Sequence, residues 1–109
     1  MQQYTYLQLG VAEVADQLAA VSFLKSLPYV NPDRVGIWGW SYGGYMTVKA
    51  VATAASVAYG SSCATCLKAA VAVAPVSDWR FYDSVYTERY MGDPIANAIG
   101  YNKSYVYMP

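Results

Sequence analysis

Arg34-Val35-Gly36-Ile37-Trp38-Gly39-Trp40-Ser41-Tyr42-Gly43-Gly44-Tyr45 is the stretch whose reading decides the fold. The β-branched residues Val35 and Ile37 lead into it, and an Ala/Val/Met-rich pattern leaves it after Gly44. The order is strand, tight turn, helix. Gly39-Trp40-Ser41-Tyr42-Gly43 matches the Gly-x-Ser-x-Gly nucleophile elbow, in which a serine is held on a sharp, strained turn with its hydroxyl exposed above the sheet. Gly39 and Gly43 are expected to be steric requirements: a side chain at either would hold strand and helix too far apart for Ser41 to reach its unfavourable backbone angles. Three fixed positions arise by chance in roughly 3% of chains of this size. The pattern therefore counts through its flanks, a buried strand before it and a helix after it.

Working outward, residues 1 to 9 are polar and aromatic and read as a loop closed by Gly10. From Val11 to Leu27, apolar residues fall at Val11, Val14, Leu18, Val21 and Leu24, which predicts a helix with one buried face. Glu13 and Asp16 near its start and Lys25 near its end suit the helix dipole. Pro28 stops it, and Asn31-Pro32-Asp33 turns the chain into the strand. Beyond the elbow, Tyr45 to about Tyr59 is a second helical pattern, apolar on most faces and so expected to be buried. Lys68 to Ala74 is a continuous apolar run, which suits a parallel strand covered on both faces. The class is α/β, with the order helix, strand, elbow, helix, strand. Two strands do not make a stable open sheet, so further strands are expected from sequence outside these residues.

Composition limits the functions on offer. Of 109 residues, 56% are hydrophobic and 13% charged, an apolar balance for so small a unit, which suggests a piece of a larger domain. Seven basic residues balance seven acidic ones and lie singly along the chain, so nothing points to nucleic acid. No apolar run reaches membrane-spanning length, and the N-terminus lacks a signal-peptide layout. Cys63 and Cys66 form a Cys-x-x-Cys, but with no His and no other Cys a zinc site lacks two ligands. No metal or other cofactor is expected.

From Pro75 onward the character changes to what reads as an aromatic pocket loop. Val76, Trp79, Phe81, Tyr82, Tyr86 and Tyr90 crowd together with Asp78, Asp83, Glu88 and Arg89, just past the carboxyl end of a parallel strand, where ligands bind in such sheets. Glu88 and Arg89 are expected to form structural ion pairs, and Asp78, Asp83 and Asp93 to be loop and pocket-wall carboxylates. The tail from Gly92 to Pro109 reads as loop. It contains Asn102-Lys103-Ser104, an N-glycosylation acceptor pattern if the segment meets the secretory pathway.

Three blocks carry a resemblance: Gly39 to Tyr45, then Val73-Ala74-Pro75-Val76-Ser77-Asp78-Trp79, then Tyr82-Asp83-Ser84-Val85-Tyr86-Thr87-Glu88-Arg89-Tyr90-Met91-Gly92. With Leu9-Gly10-Val11, Glu13-Val14 and Asp16-Gln17 upstream, the chain resembles the catalytic domain of dipeptidyl peptidase IV-type serine peptidases of the prolyl oligopeptidase group. The resemblance implies a partial α/β-hydrolase fold over residues 1–109, as a fragment with no second domain. It implies Ser41 as nucleophile and the Tyr42 backbone N–H as half of an oxyanion hole. Val76, Trp79, Tyr82 and Tyr86 would line the pocket for a proline or alanine side chain, with the Tyr82 hydroxyl near the substrate's free amine. The implied activity is release of N-terminal dipeptides with Pro or Ala in second position, from a peptide substrate through an acyl-enzyme.

The family's triad continues from serine to an Asp and a His, whereas this sequence holds no histidine. A serine needs a base within reach, so the 109 residues alone are expected to be inactive. The remaining partners implied are the rest of the catalytic domain, a β-propeller and a homodimer mate, in a membrane-anchored, vacuolar or secreted protein. The segment from Ala52 to Thr65 is several residues longer than the family's usual link. Two other readings stand beside this one. One is a truncated, non-catalytic homologue that binds or regulates; the other is a different α/β-hydrolase, an esterase or acylaminoacyl peptidase.

Overall fold

The computed structural model describes residues 2–56 and 66–106. Along the chain run α1 (Gln2–Thr5), α2 (Ala12–Lys25), β1 (Gly36–Trp40), α3 (Tyr42–Ala55), β2 (Ala69–Val73), a 3₁₀ turn (Trp79–Phe81), α4 (Ser84–Met91) and α5 (Ala98–Ser104). Cys63 and most of the long 52–65 segment lie outside the described residues. Cys66 is buried and is not a free thiol.

β1 and β2 pair in parallel, with Gly36 opposite Ala69 and Trp40 opposite Val73. α3 lies across both strands, and α2 packs on α3. Their shared core is Val14, Leu18, Val21, Ala50, Ala54 and Cys66, with Ile37 packed against it from the sheet. Alternation along the strands sends Trp38, Trp40, Val71 and Val73 to the opposite face. There they are 74%, 69%, 58% and 37% exposed. Among the described residues, helices cover one face of β2 only.

A second core gathers Leu9, Tyr45, Trp79, Met91, Tyr101 and Val106. It draws the N-terminal segment, α3 and the post-β2 helices to one end of the sheet. Backbone bonds tie it across long sequence distances, from Leu7 N–H to Tyr90 O (2.8 Å) and from Val106 N–H to Ser77 O (3.0 Å). The Lys49 ammonium donates to Lys103 O (2.6 Å) and Tyr105 O (2.7 Å) at the end of α5.

Several sequence expectations shift. Residues 1 to 9 hold one helical turn, α1, too short to show a periodic stripe. Helix α2 is shorter than 11–27, and the outer stripe residues Val11 and Leu24 are exposed, because α3 covers only the middle of its face. Helix α3 starts at Tyr42 rather than Tyr45, since Ser41 is itself the residue that precedes the first helical turn. The tail is not all loop: α5 is capped by Asn97, whose side chain accepts from Gly100 N–H, and runs to Ser104. Asn102 is exposed there, while Ser104 is wholly buried.

The aromatic segment is likewise a 3₁₀ turn and α4 rather than a loop, because its aspartates cap them. Asp78 accepts from Arg80 N–H and Asp83 from Tyr86 N–H (2.8 Å). The ion pair in this region is Asp78–Arg80. Among the described residues Glu88 and Arg89 form none, and the Arg89 guanidinium lies over the Tyr90 ring instead.

Candidate active site

The site is built at the carboxyl end of the sheet. β1 delivers Ser41 at φ 54° and ψ −116°, a left-handed conformation that a serine adopts only when its surroundings impose it. Two bonds impose it here. Ser41 N–H donates to Val73 O (2.9 Å) at the end of β2, and Ser41 O accepts from Tyr45 N–H (2.9 Å) as α3 begins. The neighbouring strand ends alike, with Ala74 at φ 46°. Ser41 is exposed, and its side chain does not cap the helix it precedes.

Glycine makes the close approach possible, though not at both positions the motif suggests. A Cβ on Gly39 would stand 2.2 Å from Gly43 O and 2.3 Å from Gly43 C, so strand and helix touch backbone to backbone. A Cβ on Gly43 would meet nothing within 4 Å. The steric role expected of Gly43 passes instead to Gly44, whose Cβ would fall 2.7 Å from Val73 O and 3.2 Å from Pro75 Cα. Sequence reasoning missed Gly44, although the Gly43-Gly44 pair was a signal for it.

Tyr42 follows at the first position of α3. The first backbone N–H groups of a helix have no intrahelical partner and carry the positive end of its dipole. The Tyr42 N–H stands at that positive end, beside Ser41. Its ring is half-buried, and its hydroxyl donates to Glu13 Oε1 (2.5 Å). Burial, then that hydrogen bond, push the phenol far above its ordinary range, so it stays a donor.

From Tyr42 an aromatic cluster extends to the pocket candidates. Tyr42 and Trp79 lie 5.8 Å apart between ring centroids, Trp79 stacks on Tyr86 at 5.8 Å with 19° between planes, and Tyr82 meets Tyr86 edge-on at 5.5 Å. The structure thus brings Tyr42, Trp79, Tyr82 and Tyr86 together. Trp79 is 2% exposed and forms the floor of the cluster, while Tyr82 and Tyr86 stand above it, open to solvent. Val76 and Tyr82 also line a cavity of about 330 Å³, with Pro75, Asp78 and Phe81. The carboxylates in the region are engaged. Burial opposes the charge of Asp78, yet its bonds to Arg80 hold the carboxyl below its usual range. Asp83 caps α4, and Asp93 accepts from Ile95 and Ala96 N–H.

Comparison with known proteins agrees with this geometry. The family model described as "Prolyl oligopeptidase family" matches residues 2–109. A protein of Grosmannia clavigera named "Probable dipeptidyl-aminopeptidase B" is 52% identical over 95 residues, which cover 87% of this chain and 9% of that protein. A protein of Neosartorya fischeri named "Probable dipeptidyl peptidase 4" is 50% identical over 97 residues, or 89% of this chain and 12% of the other. The crystal structure of Porphyromonas gingivalis dipeptidyl peptidase 4 superposes with a TM-score of 0.81 at 52% identity, covering 94% of this chain and 13% of that one. The chain spans about a tenth of the length of these relatives. Its parallel strand pair, covering helices and strained serine turn are part of an α/β-hydrolase fold, and the chain belongs to the prolyl oligopeptidase family.

Proposed function

We propose that this chain is the nucleophile-bearing part of a serine dipeptidyl peptidase, which releases N-terminal dipeptides with proline or alanine in second position. The observation that carries the reading is Ser41, held at φ 54° at the end of β1 and followed at once by Tyr42 and the cluster of Trp79, Tyr82 and Tyr86. In this reading the Ser41 oxygen attacks the scissile carbonyl, and the Tyr42 N–H stabilises the oxyanion. The departing amine takes the proton released from Ser41, and water then hydrolyses the acyl-enzyme. Flat aromatic walls suit a compact pyrrolidine ring.

The sequence holds no histidine, so in this reading a histidine base is supplied by residues outside these 109. The exposed face of Trp38, Trp40, Val71 and Val73 supports the same view, because an apolar sheet face of this kind is covered in a complete α/β domain. The test is chromophore release from Gly-Pro-p-nitroanilide by the full-length protein that contains this chain. Ser41→Ala is expected to lower the rate by at least about 10⁴-fold, an N-acetylated Gly-Pro substrate to be spared, and residues 1–109 alone to show no turnover. Turnover that survives Ser41→Ala, or preference for short-chain esters, refutes the reading.

A further inference from the structure

We propose that Glu13 is a positioning residue for the Tyr42 backbone N–H and acts through the Tyr42 hydroxyl. The inference rests on the reading of Ser41 as nucleophile. Ser41 is strained, and its own backbone is held by Val73 on one side and Tyr45 on the other. Residue 42 lies between those ties, with its N–H unclaimed by the helix. Its peptide plane shares the Ser41 carbonyl held by Tyr45, and its side chain is tied as well at the far end, where the hydroxyl donates to Glu13 Oε1 at 2.5 Å.

The acceptor is itself immobilised. Glu13 stands in the first turn of α2, and the same Oε1 accepts the Gly10 N–H at 2.8 Å. Gly10, at φ 74°, is packed so tightly that a Cβ there would lie 1.9 Å from the Tyr45 hydroxyl oxygen. The chain is continuous: Gly10 loop, Glu13 carboxylate, Tyr42 hydroxyl, Tyr42 N–H. Glu13 Oε2 is buried and finds no partner among the described residues. A hydrogen bond in partly desolvated surroundings is stronger than one in water, so the burial around Glu13 stiffens its link to Tyr42.

The experiment is steady-state kinetics of the full-length protein on Gly-Pro-p-nitroanilide, with Tyr42→Phe, Glu13→Ala, Glu13→Gln and the Tyr42→Phe/Glu13→Ala double variant. Misplacing the oxyanion donor by a fraction of an ångström is expected to lower kcat on the order of tenfold in Tyr42→Phe and in Glu13→Ala, with KM within about twofold. The double variant is expected to be no worse than either alone. Glu13→Gln, which keeps an oxygen acceptor, should recover most of the rate. Affinity for a dipeptidyl boronate, which mimics the tetrahedral state, should fall in step with kcat. Tyr42→Phe removes one exchangeable group and leaves the ring in place, so unfolding does not mask the result. Wild-type kcat in Tyr42→Phe, multiplying losses in the double variant, or a loss carried by KM would overturn the inference and leave the peptidase reading intact. Failure of the unmutated protein to turn over the substrate would overturn both.

Discussion

Gly39→Ala is the sharpest perturbation the structure offers. The added Cβ would lie 2.2 Å from Gly43 O, and real Cβ atoms essentially never come within 3.0 Å of another heavy atom. Strand and helix must therefore separate by at least about 0.8 Å, and the opposing atoms are backbone rather than the end of a flexible side chain. Overpacking of this kind costs about 1 to 3 kcal/mol. The displacement falls on Ser41, two residues away, and misplacement of reacting groups by about 1 Å can cost 10²-fold in rate. The matched controls are Gly44→Ala, where the closest clash is 2.7 Å, and Gly43→Ala, where there is none. Unfolding midpoints and kcat/KM of the full-length protein should then rank Gly39→Ala as most damaged, Gly44→Ala next and Gly43→Ala least. If Gly43→Ala proves as harmful as Gly39→Ala, the argument from close approach is wrong and both glycines serve the elbow in some other way.

Two further outcomes follow from buried polar groups. The Tyr45 hydroxyl is buried and lies 2.9 Å from both Leu9 O and Ser104 O, so Tyr45→Phe should cost about 1 to 3 kcal/mol in urea unfolding. Burial raises that phenol well above its ordinary value, so its stabilisation is complete below pH about 10 and drains away as pH rises further. Tyr45→Phe should therefore also reduce the alkaline loss of stability, and an unchanged alkaline limb would refute the assignment. Asp78 is held below its usual range by Arg80, so it stabilises above about pH 4 and this contribution is lost as pH falls through its folded value. Asp78→Asn should destabilise modestly at pH 7, kept small by the solvent exposure of Arg80, and less as pH falls below about 4. Equal losses at neutral and at low pH would show that the charge does not matter.

The elbow was legible because its information is local. A β-branched strand, two close glycines around a serine and an apolar helix are consecutive in sequence, and the strain at Ser41 is a property of that short turn. The crowding of Trp79, Tyr82 and Tyr86 was visible in the sequence because they lie close together in the chain, whereas the burial of Trp79 in the second core was not. Helix α5 was not read, because seven residues hold too little periodicity; its signal was the cap at Asn97. The ion pair expected of Glu88 and Arg89 lies instead between Asp78 and Arg80, because Asp78 caps the turn that carries its partner.

The sequence by itself determined the α/β class, the nucleophile candidate Ser41 and the family, since each is written in neighbouring residues. Only the tertiary structure decided that Gly44, rather than Gly43, meets the end of β2, that Glu13 holds Tyr42 across 29 residues, and that Trp79 lies beneath Tyr86. These are distances between segments remote in the chain, and they depend on how α2, α3 and the post-β2 helices settle against one another. No local spacing records that packing, because it exists only once the two cores have closed.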